Sequence, residues 1–210
     1  MDYKIYTVGH SNHSIDYFLE LIKHFNIDCI IDVRSVAASA YNPQFNKSNL
    51  TGFLKSENIV YMHFAEEFGA RHTDPMLLDA QGKVDFDKVR NSQNFERGIK
   101  RLWKGIKKGF KIALMCSEAE PFDCHRFAMV TVALQKEGFE VYHILKDKTL
   151  QTNQDLEQKL LKKYDKKIPQ PNIFNTQITL KQQLEIAYRL RNIEIAYSPY
   201  LENSVANPEE

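Results

Sequence analysis

The sequence is poor in most of the features that announce a function outright. Three cysteines in 210 residues are too few, and odd in number, for a disulfide framework, so free thiols or metal ligands are expected. No apolar run approaches the ~20 residues that cross a bilayer, and no early segment has the charged, apolar, small-residue order of a signal peptide. A cytoplasmic protein without a membrane partner is therefore expected. A formal charge of +1 excludes a bulk attraction for nucleic acid or anionic membrane. Only local patches remain, such as KRLWKGIKKGFK at residues 100–111, for which a solvated helix face is the simpler reading. Internal repeats and low-complexity tracts are absent too, which leaves solenoids and disordered modules aside.

What is there alternates. Five short apolar or β-branched runs, at residues 5–8, 29–33, 60–64, 112–115 and 141–144, have strand length, and segments of helical period lie between most of them. Ser14 can cap a helix carrying Ile15, Phe18, Leu19, Ile22 and Phe25 on one stripe. Phe95, Ile99, Leu102, Trp103 and Ile106 repeat the pattern up to Gly109, and Phe127, Val130 and Leu134 do so up to Gly138. This order predicts an α/β three-layer sandwich with a mostly parallel sheet of about five strands, plus C-terminal helices. The runs CIIDV and IALMC are apolar almost throughout, as strands covered on both faces are, and should be central. The chain divides into an α/β domain, 1–148, and a helical C-terminal extension and tail, 149–210, with a linker at 169–175 and a loosely packed end from 198. Leu180, Leu184, Ala187 and Leu190 form a stripe that suits core packing, or a partner helix in a homodimer.

Ligands bind outside the carboxyl ends of the strands in an open parallel sheet, so the residues after each strand define the candidate site. They are Gly9, His10, Ser11, Asn12 and His13 after the first, Asp32, Arg34 and Ser35 at the second, Glu66 and Glu67 after the third, and Cys116, Ser117 and Glu118 after the fourth. Asp32 and Arg34 are two apart, as are Cys116 and Glu118, so each pair should project from one face. Asp32 and Arg34 read either as an ion pair that anchors the loop or as a planar fork for an anionic or carbonyl group. GHSNHS offers a tight turn and donors at a helix start, although Asn12 and Ser14 equally suit a plain cap. The long connections 35–46 and 65–83 are the lengths at which loops tend to carry function.

The densest stretch is MCSEAEPFDCHR, residues 115–126. Asp123 can cap a helix beginning at Cys124 or His125, which would put Cys124 in a first turn where the dipole and the neighbouring His125 and Arg126 favour its thiolate. In outline the loop resembles the nucleophilic cysteine loops of rhodaneses and tyrosine phosphatases, but it is too long, and Glu118, Glu120 and Asp123 would repel a phosphate. Cys116, Cys124 and His125, with His10 as a fourth, are zinc-ligand types. Without a C-x-x-C pair, and with adjacent Cys and His diverging on a helix, no metal is assigned. A reversible Cys116–Cys124 bond is a further alternative.

YTVGHSN, IDVRS and MCSEAEPFDCHR together resemble domain-of-unknown-function family 488, over roughly residues 3–145. Cys116, Glu118, Pro121, Cys124, His125 and Arg126 keep the family's order, with Ser117 where a small residue is usual. The resemblance implies an α/β fold with a polar strand-end site and no established reaction. The expected protein is an enzyme, hydrolase or transferase, for a small polar or nucleotide-like ligand. Cys116, Glu118, His10 and His125 are its catalytic candidates: Glu118 as base or nucleophile, Cys116 as alternative nucleophile, and His10 or His125 as proton shuttle. Ser11, Asn12, Asp32, Arg34, Ser35 and Arg126 would bind substrate, and no cofactor is assigned. The alternative is a non-catalytic nucleotide or nucleic-acid module using the basic 100–111 face with Tyr41 and Phe45 exposed for stacking.

Overall fold

The computed structural model describes residues 3–170 and 178–200. β1 (Tyr3–Gly9) leads through the Ser14 cap into α1 (Ile15–His24), whose Phe18, Leu21 and Ile22 are buried, and then into β2 (Cys29–Asp32). α2 (Lys47–Ser56) follows the first long connection and β3 (Val60–His63) follows it directly. A single turn, α3 (Ala65–Phe68), opens the second long connection, which ends in α4 (Phe86–Arg90). α5 (Gln93–Lys107), capped by Ser92, buries Phe95, Ile99 and Leu102. It stops before Gly109, whose φ of 87° lies in the region where a side chain is strained.

β4 (Ile112–Cys116) is buried at every position, as its continuous apolar run requires. The expected third helix is present but not regular: residues Arg126–Thr131 form a fully buried π-helix that tightens into α6 (Val132–Lys136). Short π segments tend to mark functional sites because they shift the side chains that follow. β5 (Phe139–Ile144) is followed by a sixth strand that the sequence did not suggest, β6 (Leu150–Thr152). Three residues of mixed polarity carry no periodic signal; the pairing comes from the turn, where Lys148 adopts φ 65° and Leu145 N–H donates to Thr149 O. The expected helical extension from 149 thus starts later, with α7 (Asn153–Lys163), and α8 (Leu180–Ile195) closes the described chain.

The sheet runs β3-β2-β4-β1-β5-β6, parallel except for β6. Alternate side chains feed two cores. Ile31, Leu114 and Cys116 face the layer of α3 to α8, while Ile30, Ala113 and Met115 face α1 and α2. The C-terminal segment joins the first core through Leu156, Leu160, Ala187 and Tyr188. On α8, Leu184 and Leu190 pack against that core and Leu180 stays exposed. The start of the tail is strapped down where loose packing was expected: Val84 N–H donates to Tyr197 O, and buried Ser198 donates through Oγ to Gly82 O. Most of the linker and the rest of the tail lie outside the described residues.

Candidate active site

The strand ends converge on one rim. Gly9 pairs with Cys116, and the ladder continues past both strands, with His10 N–H donating to Cys116 O and Ser11 N–H to Ser117 O, each at 2.9 Å. The approach is so close that a Cβ on Gly9 would collide with the Glu118 carbonyl, so only glycine fits there. Asp32 pairs with Met115, one residue before Cys116. That offset decides the arrangement: Asp32 points to the α1/α2 face and Cys116 to the opposite one.

On the α1/α2 face the polar groups satisfy one another. Arg34 Nε and Nη2 donate to the two oxygens of fully buried Asp32 at 2.9 and 2.6 Å, and Nη2 also reaches Phe45 O at 2.8 Å. Tyr61 adds an O–H donor to Asp32 Oδ2. His10 stacks on Phe45, donates through Nδ1 to Ser11 O and accepts from Arg34 Nη1 through Nε2. Burial and the adjacent guanidinium pull the His10 pKa down to about 4, so the ring is neutral at pH 7. Ser11 takes φ 48° at the turn and Asn12 is exposed beside it. Phe45, expected to be an exposed stacking residue, is fully buried, because it fills the space between His10 and Phe18; Tyr41 alone of that pair is exposed.

The other face carries a different chemistry. Cys116 and Cys124 sulfurs lie 2.9 and 3.0 Å from the same oxygen, Glu118 Oε2, and 3.7 and 3.8 Å from His125 Nδ1. All four donor atoms fall within 4.8 Å of one another. His125 donates through Nε2 to Val33 O, which leaves Nδ1 with its lone pair toward the sulfurs. The premise that Cys124 and His125 diverge on a helix does not hold. Cys124 is extended, with φ −121° and ψ 145°, whereas His125 is already helical, so the two side chains turn to the same point. Asp123 is not the cap; it pairs with Arg191 of α8. Cys124 itself takes that place, its carbonyl accepting from Phe127 and Ala128 N–H and its sulfur from Arg126 N–H at 3.4 Å. Arg126 is wholly buried and donates to the Glu118 and Ala119 carbonyls, so it holds the loop between the ligand-type residues and does not reach the solvent side.

Proton affinities inside the cluster are split. Burial drives the Cys116 thiol well up. Burial would raise Cys124 as well, but Cys116, Arg126 and His125 outweigh it and hold Cys124 well below the ordinary thiol value. Glu118 is raised, first by desolvation and then by the Cys124 charge, and His125 is raised because Cys124 and Glu118 overcome its burial.

Above this cluster opens a cleft of about 460 Å³. Of the expected site residues, Arg34, Ser35, Cys116, Glu118 and His125 line it; His10, Ser11, Asn12, Asp32 and Arg126 do not. Both long connections contribute, through Ser35 to Ser39 and through Ala70 and Arg71. Glu66 and Glu67 instead pair with Arg97 and Arg101 of α5. Within the basic 100–111 face, Lys100 pairs with Glu96 and Arg101 with Glu67. Two wall residues carried no sequence signal, Ile195 and Tyr197, because they arrive from the far end of the chain; the Arg71 guanidinium lies 5.3 Å from the Tyr197 ring. Cys124 joins the cluster too, and the sequence signal for it is its place immediately before His125.

Among the described residues no helix is long and apolar enough to cross a membrane. The family model described as domain of unknown function DUF488 matches residues 14–133. No curated protein and no solved structure matches the chain.

Proposed function

The chain belongs to the DUF488 family, whose description assigns no reaction, and from the cleft itself we propose that the protein is an enzyme, a hydrolase or transferase acting on a small polar or nucleotide-sized substrate. One observation carries this reading: a thiol, a carboxylate and an imidazole from the stretch 115–126 open together on a cleft of substrate size, about 460 Å³. Glu118 is placed to take a proton from an attacking water in hydrolysis, or from an acceptor hydroxyl in transfer. His125, held by Val33 O in one tautomer, carries protons between the floor and the leaving group. Ser35, Ser39 and Ser117 supply hydroxyls for orientation, and Arg71 gives the wall a cation for an anionic substituent.

The test begins with mass spectrometry of whatever copurifies in the cleft, followed by a turnover screen on that chemical class. Glu118→Gln should remain folded and lose about 10²- to 10⁴-fold in kcat, the range spanned by a positioned acid–base group. Full turnover in that variant would remove Glu118 from the chemistry, and the reading with it.

A further inference from the structure

We propose that Cys116, Glu118, Cys124 and His125 bind one zinc ion at the floor of the cleft. Zinc bonds of about 2.3 Å to sulfur and about 2.0–2.1 Å to nitrogen put sulfur and nitrogen roughly 3.6 Å apart along a tetrahedral edge. His125 Nδ1 lies 3.7 and 3.8 Å from the two sulfurs, so the imidazole already stands close to the required spacing from both. The Glu118 oxygen is nearer, at 2.9 and 3.0 Å, which is a hydrogen-bond distance to a thiol. It must retreat by roughly 0.6–0.7 Å to reach the same tetrahedral edge, and the residue is exposed on the cleft side.

The surroundings are those of a metal site. The second ring nitrogen of His125 is tied to a backbone carbonyl, which fixes the tautomer and aims Nδ1. A backbone N–H from Arg126 supports the Cys124 sulfur, and the buried Arg126 guanidinium anchors the loop from which Glu118 comes. Two thiolates, a carboxylate and a divalent ion leave a net charge of −1, which that guanidinium offsets. Thiolate and imidazole together select zinc over magnesium or calcium, which take oxygen ligands. On binding, the remaining thiol protons pass to solvent as metal–sulfur bonds replace the contacts with Oε2. Glu118, on the solvent side, is the ligand able to yield its position to water or substrate.

Metal binding is tested on the full-length, reduced protein, stripped with a chelator and titrated separately with Zn²⁺ and Co²⁺. The expected result is one ion per chain in native mass spectrometry. Cobalt loading should give sulfur-to-metal charge-transfer absorption together with the intense visible bands of a tetrahedral site. Cys116→Ser and Cys124→Ser should each lose about half of the charge-transfer intensity. Each should also weaken zinc by more than the ~10- to 100-fold that loss of an outer-shell partner costs. His125→Ala should weaken it likewise while keeping both sulfur contributions. Failure of the reduced wild-type chain to take up an ion overturns the proposal, and so does a Cys116→Ser, Cys124→Ser double variant that binds as tightly as the parent. A Cys116–Cys124 disulfide in the isolated protein, with no uptake after reduction, overturns it in favour of a redox pair. The wild-type titration decides even where a variant fails to fold. Zinc in a cleft that turns nothing over would leave this inference standing and sink the catalytic reading; turnover by a chain that takes up no ion would do the reverse.

Discussion

Two polar clusters share one edge of the sheet and differ in how completely their atoms are used. On one face Asp32, Arg34, His10 and Tyr61 satisfy each other, with a buried carboxylate meeting a two-pronged guanidinium and an aromatic hydroxyl. On the other, two sulfurs converge on a single carboxylate oxygen beside an imidazole whose free nitrogen faces them. The first cluster has little left with which to hold a ligand, and its residues lie apart from the cleft save Arg34 at its border. The second has lone pairs in excess of donors and opens on the cleft. Polar residues at strand ends are thus of two kinds, and the saturation of their hydrogen bonds tells anchoring from chemistry.

The contrast can be broken most forcefully at Arg34. Arg34→Ala would strand Asp32, which has no exposure, and should lower the unfolding free energy by about 3–5 kcal/mol in urea titration, the cost of removing one partner of a buried pair. A loss under about 1 kcal/mol would mean that the Asp32 cluster is not an anchor and that Arg34 is free for a ligand.

The same saturated character recurs away from the rim at His143, which takes Thr7 and Asn153 as partners and whose pKa burial lowers to about 3. The unfolded chain binds the proton first as pH falls, so His143 withdraws stability between pH 6.5 and about 3 and contributes no slope above that window. His143 should account for about 2 kcal/mol of the loss between pH 7 and pH 5, and His10, whose pKa is lowered to about 4, for a similar share. His143→Gln should therefore remove about half of that slope; a slope that survives unchanged would place its origin elsewhere.

The smallest effect sharpens the comparison from the other side. Glu118→Gln, proposed to slow turnover, should change the unfolding free energy by under about 0.5 kcal/mol, because the side chain is exposed on the cleft and an amide oxygen can still accept from the two thiols. A large loss would move the sulfur cluster into the anchoring class.

Much of this was legible in the chain. Ser14 caps the helix expected of it, Gly109 and Gly138 take positive φ where helices end, and IALMC is buried throughout at the centre of a parallel sheet. The pairing of Asp32 with Arg34 and the joint placement of Cys116 and Glu118 follow from a two-residue spacing on strands. β6 was not legible, since LQT has no pattern of its own and exists by pairing with β5. Nor was the burial of Phe45, which depends on His10 and Phe18 arriving from another segment.

The sequence by itself determined the alternation of strands and helices, and with it the edge where polar residues collect, because hydrophobic period and capping act over a few neighbours. Tertiary structure decided which of those residues meet. Register offset by one residue sends Asp32 and Cys116 to opposite faces of the sheet, an extended backbone at Cys124 turns its sulfur toward His125, and the end of α8 supplies a wall of the cleft. Each of these rests on contacts between distant segments, whose geometry no local pattern encodes.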